Sequence, residues 1–408
     1  MNKNRTLLVI LIVALVSNII LISNNVIACD CNLPKKPMSA PELLHRFVNL
    51  FKTNFDGMDS GGLSSADIVS LQQQGKIEGW TYTVGENPAT KYSIDELCGL
   101  VEPDDWWVNA NFDPCTTRGD LPDTFDWRDI DGEDLTTSIK NQGSCGSCWA
   151  FGTIAPLECN IKIKEGVEED LSEQWLVSCN QDGYGCGGGW WCHDYFMENG
   201  KTDPCGDSGA VLEEDFPYVA YNAPCNCPYS HDYFIGDWAY VGDPYSVPPV
   251  DSIKQAIYDY GPVSVAVCVN TAFSAYTGGI FNGPTCHNIN HAVALVGWDD
   301  NQGTEGVWFL RNSWGPEWGE DGYMRIEYGV CDVGYRTVYI TMPNAAPNNP
   351  QKPDGPIEGV TAIEYEYASN TTDPEGEKIY YLFDWGDGTD SGWIGPYDSG
   401  QTGKASHT

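Results

Sequence analysis

The amino-acid sequence predicts an α+β fold in which a helical lobe and a β-rich lobe are joined in one chain. Residues 148 to about 225 combine a helix-compatible run with loops and closely spaced cysteines. Residues 234–342 contain repeated β-type runs, at 263–269, 292–298, 307–311 and 323–328. The two halves predict a groove between two lobes, with an N-terminal region before them and a short β segment after them.

The first element is an export signal over residues 1–28. Lys3 and Arg5 give a positive start, an apolar run follows at 7–15, and 26–28 offer a plausible cleavage site. Two alternatives stay open. The apolar stretch could remain as a membrane anchor, although it is short for a bilayer span, or cleavage could leave Cys29 acylated, as in a bacterial lipoprotein. These alternatives are the only membrane attachment that the sequence suggests.

Residues 29–120 have their own helical pattern. A capping box at 39–42 precedes apolar residues at helical spacing over 43–51, and a second short helix is predicted from Ser65 to Gln74. The region ends before a stretch of different character that begins at residue 121.

The C-terminal part begins with a proline-rich linker at 343–356. Residues 357–408 then alternate like strands and resemble part of a PKD or other immunoglobulin-like β-sandwich. Asp384, Asp387 and Asp390 could bind calcium, but turn formation is the favoured use of these aspartates.

The composition excludes some function classes. There are 58 Asp and Glu against 21 Lys and Arg, a net charge of −37, so nucleic acid would be repelled. The 16 cysteines of an exported chain indicate disulfides rather than a metal site. No metal or other cofactor is expected.

The candidate nucleophile is Cys148, in the stretch Gln142-Gly-Ser-Cys-Gly-Ser-Cys-Trp-Ala150. It lies where a loop becomes a helix, near unpaired backbone N–H groups and the positive end of the helix dipole. That setting favours a thiolate. Pro156 falls inside the same helix and is expected to bend it unless a neighbour compensates for its missing N–H.

The candidate base is His291. Of six histidines, it alone lies inside an apolar, strand-like run. Asn312 ends the next such run, and its side-chain carbonyl could accept a proton from the imidazole and fix the tautomer. These residues follow Cys148 by 143 and 164 positions.

At these residues the chain resembles the papain/cathepsin-type cysteine peptidases, whose signature around the nucleophile and downstream His and Asn it shares. The resemblance covers about residues 121–342 and includes Ser172-Glu-Gln174, Cys186-Gly-Gly-Gly189 and Trp314-Gly-Pro-Glu-Trp-Gly319. It implies a two-lobed papain-like fold. It also implies that Cys148 is the nucleophile, His291 the base and Asn312 its orienting partner, with Gln142 donating to the oxyanion.

The resemblance further implies a substrate pocket and disulfides. Trp314 would screen the His–Asn hydrogen bond. The pocket for the second residue before the scissile bond would involve Gly188, Gly189, Trp190, Trp191, Ala266, Ile289, Ala292 and Arg336, and Arg336 at its floor would favour an acidic side chain. The implied disulfides are Cys145–Cys186, Cys179–Cys225 and Cys286–Cys331. Cys268 lies inside the apolar run 263–269, and that run predicts a buried, unpaired cysteine within a strand.

The same resemblance makes residues 29–120 an inhibitory propeptide that lies along the cleft in reverse direction, similar to the short cathepsin B type, with cleavage near 115–121. Because His193 and His231 are separated, endopeptidase action is predicted rather than the C-terminal trimming of cathepsin B. The sequence thus predicts a secreted zymogen that hydrolyses peptides. A non-catalytic surface-binding protein and a transpeptidase or ligase stay as alternatives.

Overall fold

The computed structural model describes residues 61–108, 110–115, 120–243, 245–374, 376 and 378–408. The predicted signal, the acylation site at Cys29 and the helix predicted after residue 39 lie outside the described residues. Within the described ranges, none of the helices combines the length and the apolar character that crossing a bilayer requires.

Six α-helices are formed by the described residues: α1 (Ser65–Glu78), α2 (Ile94–Leu97), α3 (Cys148–Glu165), α4 (Glu173–Cys179), α5 (Val250–Tyr260) and α6 (Thr271–Ser274). The strands before the linker are β1 (Tyr82–Val84), β2 (Phe112–Asp113), β3 (Thr124–Asp126), β4 (Asp237–Val241), β5 (Val263–Val267), β6 (Tyr276–Phe281), β7 (His291–Asp299), β8 (Val307–Arg311), β9 (Tyr323–Glu327) and β10 (Tyr335–Thr341). The predicted division into a helical half and a β half is confirmed.

One sheet of ten strands organises the described part of the β lobe. Its order is β1-β6-β9-β8-β7-β5-β10-β4-β2, and β3 pairs with β7. The central strands β5, β7 and β8 are almost wholly buried, which accounts for their continuous apolar runs. The register places His291 at the start of β7 opposite Val267 of β5. Asn312 follows directly after β8, so the sheet brings these two polar residues to one edge.

Helix α3 is buried over most of its length and begins at Cys148. Pro156 lies inside it and cannot donate a hydrogen bond to the carbonyl of Gly152, four residues earlier. The hydroxyl of Ser264 on β5 donates to that carbonyl at 2.6 Å. The neighbouring strand therefore satisfies the acceptor that the proline leaves open, and this explains how the proline is accommodated within the helix.

The N-terminal segment, defined here as residues 61–115 without the undescribed residue 109, contacts both lobes. Helix α1 starts with a capping box between Ser64 and Asp67 and confirms the second predicted helix. Strand β1 pairs with β6 in antiparallel fashion, whereas β2 pairs with β4 in parallel fashion. Between these two attachments the segment passes over the start of α3.

The disulfides depart from expectation at one position. Cys145–Cys186 and Cys179–Cys225 are present, together with Cys205–Cys227. Cys286, however, is bonded to Cys268, so the expected Cys286–Cys331 bond and the unpaired Cys268 are both corrected.

The reason is that three sulfurs meet in one place. Cys331 Sγ lies 3.8 Å from Cys286 Sγ, and the Cys268 backbone N–H donates to the Cys331 carbonyl. Cys286 therefore has two neighbours close enough to be its partner, and sequence spacing does not choose between them.

Among the residues described after the linker, four strands form two antiparallel pairs: β11 (Tyr365–Ser369) with β14 (Gly403–His407), and β12 (Ile379–Tyr381) with β13 (Ile394–Tyr397). Ile379, Tyr381 and Phe383 form a small core. The carboxylates of Asp384, Asp387 and Asp390 each accept a backbone N–H two residues further along the chain. This is the turn geometry that the sequence favoured over calcium binding.

Candidate active site

Cys148 is the first residue of α3 and is completely buried. The preceding Ser147 makes no side-chain capping bond, so its hydroxyl does not compete for the first N–H groups of the helix. The backbone N–H of Trp149 is one of the groups that lower the pKa of the thiol. The N-terminal segment covers the thiol, and the backbone N–H of Gly99 donates to its Sγ at 3.2 Å.

Burial decides the protonation state of Cys148. It raises the pKa of the thiol to about 11, although backbone N–H groups, first that of Gly99 and then that of Ala292, oppose the shift. The predicted thiolate is therefore corrected for this covered state. The helix terminus favours the anion, but the loss of water around the sulfur disfavours it more strongly.

His291 is bonded to Asn312. Its Nε2 lies 2.8 Å from Asn312 Oδ1, so the amide oxygen accepts a proton from Nε2 and leaves Nδ1 as the basic atom of the neutral ring. Trp314 lies over the imidazole with ring centroids 4.7 Å apart and is itself buried. Burial lowers the pKa of His291 to about 4, with the Asn312 hydrogen bond acting in the opposite direction. The imidazole is neutral near pH 7 in this state.

Gln142 lies six residues before Cys148 in the sequence and is fully buried. Its side-chain Nε2 donates to the carbonyl oxygens of Leu97 and Cys145, each at 2.9 Å. Its Oε1 accepts from the hydroxyl of Ser313 at 2.8 Å, which fixes the orientation of the amide. Ser313 was not predicted as a site residue, and the only signal for it in the sequence is its place beside Asn312.

The segment leaves helix α2 after Leu97 and crosses the site at residues 98–101. Gly189 N–H donates to Gly99 O, and Val101 N–H donates to Gly189 O, each at 2.9 Å, in a parallel bridge. Gly188 is tight against the same chain, since a Cβ added there would lie 2.7 Å from Val101. No residue between 97 and 101 was predicted from the sequence to contact the nucleophile.

Leu100 occupies an apolar pocket next to the candidate nucleophile. Its backbone N–H donates to Asn290 O at 3.0 Å. The Leu100 side chain belongs to a buried apolar cluster that also contains four of the predicted pocket residues, Trp190, Trp191, Ala266 and Ala292. A fifth predicted pocket residue, Ile289, is partly buried and packs against that cluster. The structure therefore places these predicted substrate residues and Leu100 in one buried apolar cluster.

Arg336 lies beside this pocket and is nearly buried. Its Nε contacts Glu102 of the N-terminal segment at 2.7 Å, and its guanidinium lies over the ring of Trp106. The side chain in the apolar pocket is that of Leu100, whereas the carboxylate that contacts Arg336 belongs to Glu102, two residues further along the segment.

A buried charge cluster stands behind the site. The ammonium of Lys140 lies 2.6 Å from Glu158, 2.7 Å from Asp170 and 3.1 Å from Glu173. Burial raises the pKa of Glu173 to about 8, while Lys140 opposes that shift. Because Glu173 begins α4 and Glu158 lies on α3, the lysine ties the two helices together. This function of the Ser172-Glu-Gln174 motif was not predicted.

The arrangement can perform nucleophilic chemistry on a carbonyl group. A thiol at a helix start, an imidazole oriented by an amide, and a side-chain N–H that already holds a carbonyl oxygen are the groups that acyl transfer through sulfur requires. These groups come from α3, from the edge of the sheet at β7 and β8, and from the loop that carries Gln142.

The class of protein follows from comparison with known sequences. Residues 121–341, more than half of the chain, match the papain family cysteine proteases, and the chain belongs to that family. It is a cysteine protease, and hence a hydrolase, with a papain-like α+β fold of zymogen type.

Individual relatives agree with this assignment. The chain is similar to fruit bromelain of Ananas comosus, 32% identical over 330 residues that cover 77% of this chain and 89% of that protein. Among solved structures it resembles a digestive procathepsin L2 proteinase from Tenebrio molitor larval midgut, with TM-score 0.56, 26% identity and coverage of 74% of this chain and 100% of that one. It also resembles a recombinant stem bromelain precursor, with TM-score 0.53, 30% identity and coverage of 76% and 94%.

Proposed function

We propose that the chain is the precursor of a secreted endopeptidase in which residues 29–120 inhibit the cleft until they are removed. The Cys148 thiol passes its proton to Nδ1 of His291, and the resulting thiolate attacks the peptide carbonyl carbon while the oxyanion accepts a hydrogen bond from Gln142. His291 gives that proton to the leaving amine, and the carbon–nitrogen bond breaks. Water then loses a proton to His291 and attacks the thioester carbon, the carbon–sulfur bond breaks, and His291 returns the proton to the sulfur of Cys148.

The observation that carries this proposal is the carbonyl oxygen of Leu97, which accepts from the Gln142 amide at 2.9 Å beside the covered thiol. A substrate carbonyl placed on the same donor would sit next to Cys148 Sγ. From Leu97 the segment continues toward Gly189, whereas the resemblance implies that a substrate runs the opposite way there. The reversed direction supports inhibition without cleavage.

The pocket that holds Leu100 supports a substrate with an apolar side chain two residues before the scissile bond. The relatives that are precursors by name, procathepsin L2 and stem bromelain precursor, support the assignment of residues 29–120 as a propeptide. The proposal also includes three predictions from the sequence. They are a cathepsin B-like type for that propeptide, export directed by residues 1–28, and a PKD-like or immunoglobulin-like β domain at residues 357–408.

The proposal is tested by turnover of a fluorogenic peptide with leucine two residues before the scissile bond. We expect Cys148→Ala to abolish turnover after the precursor has been processed in trans. Cys159→Ala is the matched control, because Cys159 is also a buried free cysteine on α3. Retained activity in Cys148→Ala would overturn the proposal. Joined peptides in the product mass spectrum, in place of hydrolysis products, would favour a transpeptidase.

A further inference from the structure

Tyr218 joins the loop of Gln142 to the residue that precedes the candidate nucleophile. Its hydroxyl donates to the backbone carbonyl of Gln142 at 2.9 Å. The hydroxyl of Ser147, the residue directly before Cys148, lies 2.6 Å from the same phenol oxygen. One side chain therefore contacts both ends of the short stretch that leads from the oxyanion donor to the nucleophile.

The proton count decides the direction of the two bonds that Tyr218 makes. A backbone carbonyl only accepts, so the single proton of the phenol goes to the carbonyl of Gln142, and Ser147 donates the proton between the two hydroxyls. Burial raises the pKa of Tyr218, so the phenol keeps its proton at neutral pH. The Ser147 hydroxyl also lies 3.3 Å from the carbonyl of Cys145, but its bond to Tyr218 is the shorter one. Tyr218 therefore draws this hydroxyl away from Cys145.

The carbonyl of Cys145 orients the side chain of Gln142. A glutamine amide has two N–H groups, and Gln142 Nε2 donates to Cys145 O and to Leu97 O, each at 2.9 Å. A second donor at Cys145 O would compete with the amide and allow it to turn. Because Tyr218 binds the Ser147 hydroxyl, that carbonyl is kept for Gln142, and the N–H aimed at Leu97 O stays in place.

Tyr218 is held in turn by the residues that begin helix α4. The hydroxyl of Ser172 donates to the carbonyl of Phe216 at 2.6 Å. The side-chain oxygen of Gln174 accepts from the backbone N–H of Val219 at 2.9 Å. These bonds fix the chain two residues before and one residue after Tyr218. The Ser172-Glu-Gln174 motif thus supports the loop that carries the phenol, in addition to the buried charge cluster.

We propose that Tyr218 is a positioning residue for peptide hydrolysis, which acts through Gln142 to keep the side-chain N–H directed at the substrate carbonyl. The inference rests on the proposed function, in which Gln142 stabilises the oxyanion. An oxyanion donor contributes most when the charge has developed, so the hydroxyl of Tyr218 affects the reaction step rather than the binding of substrate.

The test is Tyr218→Phe in the full chain after processing, with the leucine peptide described above. This change removes the hydroxyl and keeps the ring, which packs edge-on against Phe151 with centroids 4.9 Å apart. We expect kcat to fall about 3- to 10-fold, the effect of one hydrogen bond, with KM nearly unchanged. The matched control is Tyr195→Phe, because Tyr195 is buried and its hydroxyl accepts from the Gln181 N–H at 2.6 Å. It should keep the wild-type kcat.

Two double variants distinguish positioning from a structural role. In a Gln142→Ala background, Tyr218→Phe should lower kcat very little further, because the side chain that Tyr218 positions is gone. Adding Ser147→Ala to Tyr218→Phe should restore part of kcat, because no hydroxyl then competes for the carbonyl of Cys145. A structural role alone would lower kcat by the same factor with or without Gln142 and would not be relieved by the loss of Ser147.

The outcomes separate this inference from the assignment on which it rests. Wild-type kcat in Tyr218→Phe, or a full further loss in the Gln142→Ala background, would overturn the positioning role, while hydrolysis by the wild type would leave the peptidase assignment intact. Absence of hydrolysis by the processed wild type would contradict the proposed function, and the role of Tyr218 would fall with it.

Discussion

The backbone N–H of Gly99 donates a hydrogen bond to Cys148 Sγ at 3.2 Å. This relationship explains how a peptide can lie against a sulfur nucleophile without reacting. The atom presented to the sulfur is an amide nitrogen, which offers a proton but no carbon to attack. A carbonyl of the segment, that of Leu97, is bound by Gln142. Under the proposed function, the segment therefore presents an amide N–H to the sulfur where a substrate would present its carbonyl carbon.

Acid should favour release of the segment. The pKa of His291 is about 4 under the segment because the ring is buried, and we expect it to return toward its ordinary value, about 6.5, once water reaches it. Between those two pH values the open form binds a proton that the closed form does not. The closed form is thus fully favoured above about 6.5 and loses stability as the pH falls toward 4, by at most about tenfold per pH unit.

Hydrogen exchange measures this release directly. The Leu100 and Val101 amides, which donate to Asn290 and Gly189, should lose protection over this pH range in a Cys148→Ala precursor that cannot process itself. Adding His291→Gln as a second substitution should make the dependence shallower. Protection that is constant with pH, or that falls as the pH rises, would contradict the argument.

Gln142→Ala should lower kcat by about 10² to 10³ because one oxyanion donor is lost. The effect should be in kcat rather than KM, since the bond is strongest to the charged oxygen. Steady-state kinetics of the processed enzyme provide the measurement. Gln302→Ala, which removes a glutamine that bonds to Asp299, is the control and should change kcat little. A Gln142→Ala enzyme with wild-type kcat would exclude the proposed role.

Ser264→Ala should destabilise the fold by about 1–3 kcal/mol, because the carbonyl of Gly152 would be buried without a donor. The free energy of unfolding in urea gives the number. Ser70→Ala is a matched control, as its hydroxyl donates to Ala66 O on the exposed side of α1. If both variants unfold at the same urea concentration as the wild type, the compensation for Pro156 is not a significant source of stability.

Lys140→Met should cost about 3–5 kcal/mol, because the carboxylate of Glu158 would remain buried without its cation. Urea unfolding at pH 7 again measures it. Lys404→Met removes an exposed pair with Glu366 and should change stability by less than about 1 kcal/mol. Equal changes in the free energy of unfolding for the two substitutions would show that the buried cluster contributes no more to stability than an exposed ion pair.

The sequence predicted which residues form the cleft better than it predicted whether Cys148 is covered and protonated. The division into helical and β halves, the helix from Ser65 and the turns at Asp384 and its neighbours could be read from periodicity and turn chemistry. The compensation of Pro156 could not, because Ser264 lies 112 residues from the carbonyl it satisfies. The disulfide partner of Cys286 could not be predicted either, because the sulfurs of Cys268 and Cys331 both lie next to it.

The protonation state of Cys148 depends on whether the N-terminal segment covers the thiol, and motif spacing does not show this. The helix start predicts a thiolate, and that inference is sound for a thiol open to water. The covering segment reverses it, because residues 97–101 remove the water that would stabilise the charge. Only the three-dimensional path of the segment shows that the nucleophile is present but neutral.

The most direct measurement compares labelling of Cys148 in the precursor and in the processed enzyme by an epoxide that targets papain-like enzymes. Intact mass and peptide mapping at pH 6–7 would locate the label. The account predicts one label, on Cys148, in the processed enzyme and almost none in the precursor, whose thiol is buried with a pKa of about 11. Labelling of the precursor at the same rate, or labelling of another cysteine instead, would contradict it.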